Sequence, residues 1–229
     1  MKRLPIICIV LVLILICCSL FIHRVSDANA TKKIAGEYTV VIDAGHGGKD
    51  AGAIGIDGSN EKTINLQIAE CLYDFLRFSG INAVMTRSGD YETYYDKNDD
   101  KTRSDLYNRM DLVNSIENSV LISIHQNHFE DSSEHGTQIW YSANTAKSKV
   151  LADSISQCIK SNLQSDNKRE NKESGSSYYL LYKAKSPSIM VECGFVSNPE
   201  ENKLLQNSEY QQKMAYSIFA GTNGVLYGK

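Results

Sequence analysis

The sequence predicts an α/β domain with a mainly parallel, twisted sheet and helices on both faces. Strand-like and helix-like patterns alternate along the chain, as they do in proteins built from βαβ units. Three short apolar runs of the strand type end at or just before a metal-binding type of side chain, at His46, His125 and Glu192. Because ligands bind outside the carboxyl ends of parallel strands, these side chains are expected to meet at one crevice.

The first 30 residues are predicted to be a targeting segment that is not part of the fold. Lys2 and Arg3 precede an uninterrupted apolar stretch at residues 5–22, and an Ala-Asn-Ala sequence follows at 28–30. This pattern is typical of an export signal, and an uncleaved amino-terminal membrane anchor is the alternative. We therefore expect residues 1–30 to be a signal peptide or anchor, 31–38 a tether and 39–229 the catalytic domain, located outside the cytoplasmic membrane.

Charge and cysteine content narrow the class of protein further. Without residues 1–30 the net charge is about −5 with neutral histidines, which predicts no nucleic-acid partner. Three cysteines remain, and an odd number excludes a complete disulfide framework. Cys71 and Cys158 fall at helical spacing among apolar residues and are expected in the core. Cys193 is expected to pack beneath the site, since no base accompanies it as it would a nucleophile.

The first half of the domain predicts a βαβ unit. A strand at 39–43 precedes a helix that opens at Asn60-Glu61 and closes at Gly80, and a strand at 81–86 follows. This order predicts parallel pairing of the two strands. Polar residues 88–102 predict a loop, from which a helix at 104–114 leads to the strand at 120–124.

The second half repeats the alternation. Its predicted elements are a strand, a helix, two strands and a final helix, at residues 138–141, 147–161, 178–182, 188–191 and 208–226. The charged stretch at 164–177 predicts a solvated loop, with a basic contact to an anionic substrate as the alternative.

Two histidines and a glutamate have the composition of a hydrolytic zinc site. His46 lies in a glycine-rich turn, Glu61 opens the first helix and His125 ends an apolar strand. Each also has a simpler interpretation. His46 could be a turn residue or part of a phosphate-binding nest, Glu61 an acid favoured by the helix dipole, and His125 a hydrogen-bonded core histidine.

Glu192 is the candidate catalytic base. It follows apolar strand residues, where a carboxylate without a partner is costly to bury. A base that takes a proton from the attacking water and passes it to the leaving amine explains its position. The remaining histidines, His23, His128 and His135, are interpreted as tether, strand-edge and loop residues, with His128 near the rim of the site.

Four segments carry a resemblance to a known family. They resemble the signature of the zinc-dependent N-acetylmuramoyl-L-alanine amidases of the type 3 family, and lie at residues 40–53, 61–62, 123–127 and 191–198. Lesser agreement occurs at Arg109, Arg169 and 200–205. One departure is present, because most of the family has alanine where this chain has Gln126, and His128 follows. The departure implies altered substrate fit or zinc affinity.

The resemblance implies a fold similar to zinc exopeptidases, a Zn²⁺ ion held by His46, Glu61 and His125, and Glu192 as the base. The implied substrate is peptidoglycan, cleaved between the lactyl group of N-acetylmuramic acid and L-alanine. A short chain without wall-binding repeats is most similar to the germination-specific spore cortex amidases, whose action allows muramic lactam to form. This subtype implies an exported protein at the outer face of the cytoplasmic membrane, in the cell wall or in the spore intermembrane space.

Two further expectations concern partners and alternatives. The absence of a wall-targeting repeat favours a protein partner that localises or activates the enzyme, and an uncleaved leader would add the membrane. The alternatives are a non-catalytic peptidoglycan-binding or regulatory protein with the same fold, and a zinc peptidase that acts on free peptides.

Overall fold

The computed structural model describes residues 38–93 and 101–228. The predicted leader at 1–30, nearly all of the tether, His23 and part of the loop at 88–102 lie outside the described residues. Within the described part of the chain, no helix is long and apolar enough to cross a membrane.

The described residues form six strands and six helices. The strands are β1 Thr39–Ala44, β2 Asn82–Met85, β3 Ser119–Asn127, β4 Gln138–Tyr141, β5 Lys172–Glu173 and β6 Ser188–Phe195. The helices are α1 Glu61–Phe78, α2 Lys101–Ser115, α3 Ala146–Asn162, α4 Tyr179–Lys183, α5 Pro199–Leu205 and α6 Ser208–Leu226.

The strands form one mainly parallel sheet in the order β2-β1-β3-β6-β4-β5. β2, β1, β3 and β6 run parallel to one another. β4 pairs antiparallel with β6, and the short edge strand β5 follows β4 in parallel. The predicted βαβ unit is confirmed as β1, α1 and β2, and the predicted fold class is confirmed with it.

Helices cover both faces of the sheet because strand side chains alternate between the faces. On one face, Val40 and Ile122 pack with Ile68 of α1, Ile155 of α3 and Ile218 of α6. These side chains are fully buried, and each contributes roughly 1.5–3 kcal/mol relative to exposure. This larger core holds the four parallel strands in register.

The second face carries a smaller core and the polar side chains of the site. Val41 and Leu121 pack there against Met110 of α2 and Leu180 of α4. Leu106 and Leu180 of this smaller core also line a cleft on this face.

Three sequence predictions about elements need correction. Residues 178–182 were predicted as a strand, yet Tyr179–Lys183 is helix α4, because a short apolar run fits either structure and β6 already occupies the edge of β3. α2 begins at Lys101, inside the predicted loop, and β5 lies within the predicted loop at 164–177. Helix α5 was not predicted, although Asn198 caps it and Pro199 opens it.

The three cysteines of the described residues are free thiols. Cys193 is fully buried on the larger core, as predicted. Cys71 packs partly buried against the same core, and Cys158 is half-buried rather than a full core residue. Burial raises the pKa of the Cys193 thiol far above its usual range, which leaves it uncharged.

Candidate metal centre

The structure brings together the four side chains predicted for the site. His46 lies in the turn after β1, Glu61 is the first residue of α1, and His125 and Glu192 lie in β3 and β6. The two strands run further than predicted, to Asn127 and Phe195, so neither His125 nor Glu192 ends its strand. A register shift after His125 accommodates the polar continuation of β3.

His46 occupies a strained turn. Its φ is +63°, in the left-handed region, and Gly47 and Gly48 beside it also have positive φ values. His46 Nδ1 lies 2.7 Å from Asp50 Oδ2, which leaves Nε2 directed at the carboxylate of Glu61, 3.3 Å from Oε2. A carboxylate on the far nitrogen fixes the tautomer and the orientation of a metal-binding imidazole.

Glu61 is buried and carries several hydrogen bonds. Its Oε2 accepts a bond of 2.8 Å from the Ala53 amide, and its Oε1 accepts one of 2.9 Å from the Gln126 amide. Asn65, one turn further along α1, donates to Oε1 at 3.1 Å. The carboxylate is therefore held at a fixed position between the two imidazoles.

His125 completes the group. Its Nδ1 lies 2.9 Å from Glu61 Oε1, and its ring is edge-on to that of His46 with centroids 5.0 Å apart. The ring also explains Gly45, because a Cβ there would lie 2.2 Å from His125 Cε1. One potential ligand atom from each of His46, Glu61 and His125 lies within 4.8 Å of the others.

This donor set fits a zinc ion. Zinc takes imidazole nitrogen and carboxylate oxygen at about 2.0–2.2 Å, which places tetrahedral ligands roughly 3.4 Å apart. The three side chains are of those types, and Glu61 lies 3.3 Å from His46 Nε2 and 2.9 Å from His125 Nδ1, which is close to that spacing. His128 and His135, by contrast, are exposed and stay outside the group.

Strong electrostatic coupling holds the three side chains. Burial alone would raise the pKa of Glu61, but hydrogen bonds from His125 and His46 hold it well below its usual range. Burial opposes charge on His46, yet Glu61 and Asp50 raise its pKa to about 9. The pKa of His125 is raised by Glu61 and Glu192 against the effect of burial. An anionic carboxylate between two basic nitrogens is therefore suited to a cation.

Glu192 differs from Glu61 in its surroundings. Its Oε2 atom is buried and has no hydrogen-bond partner among the described residues. Burial raises the pKa of Glu192 to about 7, and the nearby charge of Glu61 adds to the rise while His125 and His46 oppose it. A carboxylate that titrates near neutral pH can both accept and release a proton.

Two buried arginines hold the His46 turn through its carbonyl oxygens. Arg109 donates to the carbonyls of Ala44 and His46 at 2.8 and 2.7 Å and pairs with Asp43 at 2.7 Å. Arg87 donates to the carbonyls of Ala44 and Gly45 at 2.8 and 3.0 Å. Hydrogen bonds from the two arginines to the carbonyl oxygens thus hold the strained backbone of the turn in place.

Sequence reasoning did not find most of these supporting residues. Asp50 and Asn65 contact a ligand side chain, Arg87 contacts the backbone of the His46 turn, and Asp43 and Asp105 pair with Arg109 behind it. Arg87 could have been noticed as a charged residue directly after an apolar strand. Asn65 lies among apolar helix positions, one turn after Glu61, which is also an unusual place for a side-chain amide.

A cleft of about 310 Å³ opens beside His46 and His125. Apolar side chains from α2, α4 and β6 contribute to its lining, namely Leu106, Leu180 and Met190, with Tyr178 beside them. Arg169, predicted as a loop residue, does not line this cleft. It pairs with Glu134 and lies over the Phe195 ring at 4.5 Å.

Solved structures with the same fold define the class of protein as the cell-wall amidases. The CwlD amidase from Clostridioides difficile, solved in complex with the GerS lipoprotein, matches with a TM-score of 0.80 and 36% identity, over 83% of this chain and 99% of that one. The N-acetylmuramoyl-L-alanine amidase AmiC2 of Nostoc punctiforme matches with a TM-score of 0.70 and 30% identity, over 81% and 94%.

The profile of the Amidase_3 family, described as N-acetylmuramoyl-L-alanine amidase, matches residues 40–223, and the chain belongs to this family. The germination-specific N-acetylmuramoyl-L-alanine amidase of Bacillus subtilis is 32% identical over 80% of this chain and 77% of its own length. LytC of the same organism is 34% identical over 85% of this chain, but only 37% of its own length is matched. The protein is a peptidoglycan amidase, as its resemblance implied.

Proposed function

We propose that the protein is a zinc-dependent N-acetylmuramoyl-L-alanine amidase that holds the metal with His46, Glu61 and His125 and uses Glu192 as its base. The observation that carries this proposal is that one potential ligand atom from each of these three side chains lies within 4.8 Å of the others. Glu192, whose Oε2 atom has no hydrogen-bond partner among the described residues, lies on the strand next to that of His125.

The metal site and Glu192 have separate roles in amide hydrolysis. Zinc, when bound, supplies Lewis acidity to the scissile carbonyl and to the attacking water. Glu192 takes a proton from that water as the carbon–oxygen bond forms. It then donates the proton to the nitrogen of L-alanine as the carbon–nitrogen bond breaks.

Metal content and muropeptide cleavage test the metal site. We expect the purified protein to hold one zinc ion per chain and to release stem peptides from muropeptides. His125→Ala removes an imidazole ligand and is expected to lose both. A protein that cleaves equally well after full removal of metal would contradict the proposal.

Substrate choice separates the amidase from the alternatives. An enzyme specific for the lactyl amide cleaves intact muropeptides and leaves free stem peptides whole. Equal cleavage of free peptides would favour the zinc peptidase, and binding of peptidoglycan without cleavage would favour the non-catalytic protein.

We propose further that the amidase acts in the spore cortex and in germination. Similarity to the germination-specific amidase and to CwlD supports this role. Muropeptides from the cortex of a deletion strain should lack muramic lactam, and complementation with the wild-type gene should restore it. A normal lactam content in the deletion strain would count against the cortex role.

A protein partner is the next part of the proposal. CwlD was solved with a lipoprotein bound, which supports a partner of that kind here. Affinity purification from sporulating cells should recover a lipoprotein in stoichiometric amount. Recovery of the enzyme alone would count against the partner.

We also propose that residues 1–30 are an export signal or anchor, 31–38 a tether and 39–229 the catalytic domain. The apolar stretch at 5–22 supports export, and a peptidoglycan substrate agrees with it. Amino-terminal sequencing of the mature protein distinguishes a cleaved signal from an anchor. An intact, cytoplasmic chain would contradict export.

A further inference from the structure

We propose that Gln126 is a positioning residue for the metal centre, acting through Asn65 on Glu61. This inference rests on the proposed metal site and adds a determinant of its affinity. Gln126 and Asn65 are together called the amide bridge. The geometry points to a bridge that fixes the Glu61 carboxylate and the backbone beside His46 at the same time.

Asn65 contacts both the Glu61 side chain and the backbone next to His46. Its Nδ2 donates to Glu61 Oε1 and to the Gly45 carbonyl, each at 3.1 Å. Gly45 immediately precedes His46, so one fully buried amide sets the distance between the carboxylate and the His46 turn. Both N–H groups of this amide are used, which leaves Oδ1 as the free end.

Gln126 occupies that free end. Its Nε2 donates to Asn65 Oδ1 at 3.0 Å, while its backbone amide donates to Glu61 Oε1 at 2.9 Å. The same residue therefore contacts Glu61 directly through the main chain and indirectly through the side chain. A donor on Oδ1 keeps the NH₂ group of Asn65 turned toward Glu61.

Gln126 is a buried polar residue with apolar neighbours. It follows His125 in β3 and is only 3% exposed. Its neighbour Ile124 and, on the adjacent strand, Cys193 belong to the larger hydrophobic core. A side-chain amide in such a place is unfavourable unless it is hydrogen-bonded. The bond to Asn65 satisfies its Nε2, while its Oε1 has no hydrogen-bond partner among the described residues, so that bond offsets only part of the cost of burial.

The bridge predicts weaker zinc binding when its outer member is removed. Residues that orient metal ligands typically change affinity by 10–100-fold when substituted. Gln126→Met keeps the length of the side chain but removes the donor, and we expect the zinc dissociation constant to rise roughly tenfold. Asn65 Oδ1 then lacks its partner and Glu61 is held less firmly.

Chelator competition measures the zinc dissociation constant, and thermal unfolding is followed with and without zinc. Gln211→Met is the matched control, since Gln211 is also buried but donates to Gln67 and to the Leu205 carbonyl. We expect zinc to raise the melting temperature of the control as much as that of wild type. The increase caused by zinc should be smaller for Gln126→Met. If Gln126 had a purely structural role, its substitution would lower the melting temperature equally with and without zinc.

A double-mutant cycle with Asn65→Ala completes the test. If the two residues act as one bridge, the double variant binds zinc about as weakly as Asn65→Ala alone. A zinc affinity of Gln126→Met and of Gln126→Ala within twofold of wild type would overturn the bridge. Wild-type protein that binds no zinc would instead overturn the proposed metal site, so the two failures are distinguishable.

Discussion

His125 and Glu192 lie directly opposite each other in the parallel ladder between β3 and β6, so the imidazole and the carboxylate leave the sheet on the same face. One side chain is a proposed ligand and the other the proposed base. Their separation is thus set by the spacing of two hydrogen-bonded strands in the rigid centre of the sheet. This arrangement leads to separate predictions for metal binding and for proton transfer.

Glu192→Gln should remove activity without removing metal. The amide keeps the shape of the side chain but cannot accept the proton, and loss of a general base typically costs 10²–10⁴-fold in rate. Muropeptide turnover and zinc content of the same preparation check the prediction. A variant that loses zinc in parallel would identify Glu192 as a ligand instead.

The acid limb of the pH profile should follow Glu192. Burial raises the pKa of its carboxyl to about 7 from 4.5, and a bound cation lowers it again. The base acts only when ionised, so kcat/KM falls as the pH decreases through the folded-state pKa. A flat profile down to pH 4 would exclude Glu192 as the titrating base.

Arg109→Ala should destabilise the fold strongly. The substitution leaves Asp43 as a buried charge without its ion-pair partner and frees two carbonyls of the turn. Breaking a buried pair costs about 3–5 kcal/mol in the free energy of unfolding. Chemical denaturation measures the loss. Lys149→Ala, which breaks an exposed pair with Asp153, is the control and should cost under about 1 kcal/mol.

Asp43 should make the fold sensitive to acid. Burial alone would raise its pKa, but Arg109 and then His125 and Ser123 hold it at about 2, below 3.8. Because the folded pKa is depressed, the stabilisation is present above about pH 4 and is lost as pH falls toward 2. We expect this group to account for about 2 kcal/mol of that loss. Asp43→Asn should show a correspondingly flatter dependence of unfolding free energy on pH, and an unchanged slope would contradict it.

Gly45→Ala should disrupt the metal centre. A Cβ at this position would lie 2.2 Å from His125 Nε2, so the imidazole must leave its place. We expect at least a tenfold loss of zinc affinity, comparable to that of other residues that orient ligands. At Gly175 an added Cβ meets nothing within 4 Å, and Gly175→Ala is the control. Tight zinc binding by Gly45→Ala would show that the ring can relocate.

The fold class followed from local patterns with a physical basis. Apolar runs of strand length, the helix between Asn60 and Gly80 and its return to a second strand required a parallel sheet. Short segments were less determinate. The apolar residues at 179–183 suit a strand or a helix, and the tertiary structure decides for a helix whose Leu180 packs in the smaller core.

In the candidate site, too, some residues could be predicted from the sequence and others could not. His46, Glu61, His125 and Glu192 were found because their residue types and their places at strand and helix ends indicate metal chemistry. The sequence by itself therefore determined the parallel α/β class, the family and the four central side chains. Their supports were decided only by the tertiary structure, because the contacts join distant segments. Arg87 and Arg109 reach back to the turn after β1, and Gln126 reaches Asn65 across the face of β3.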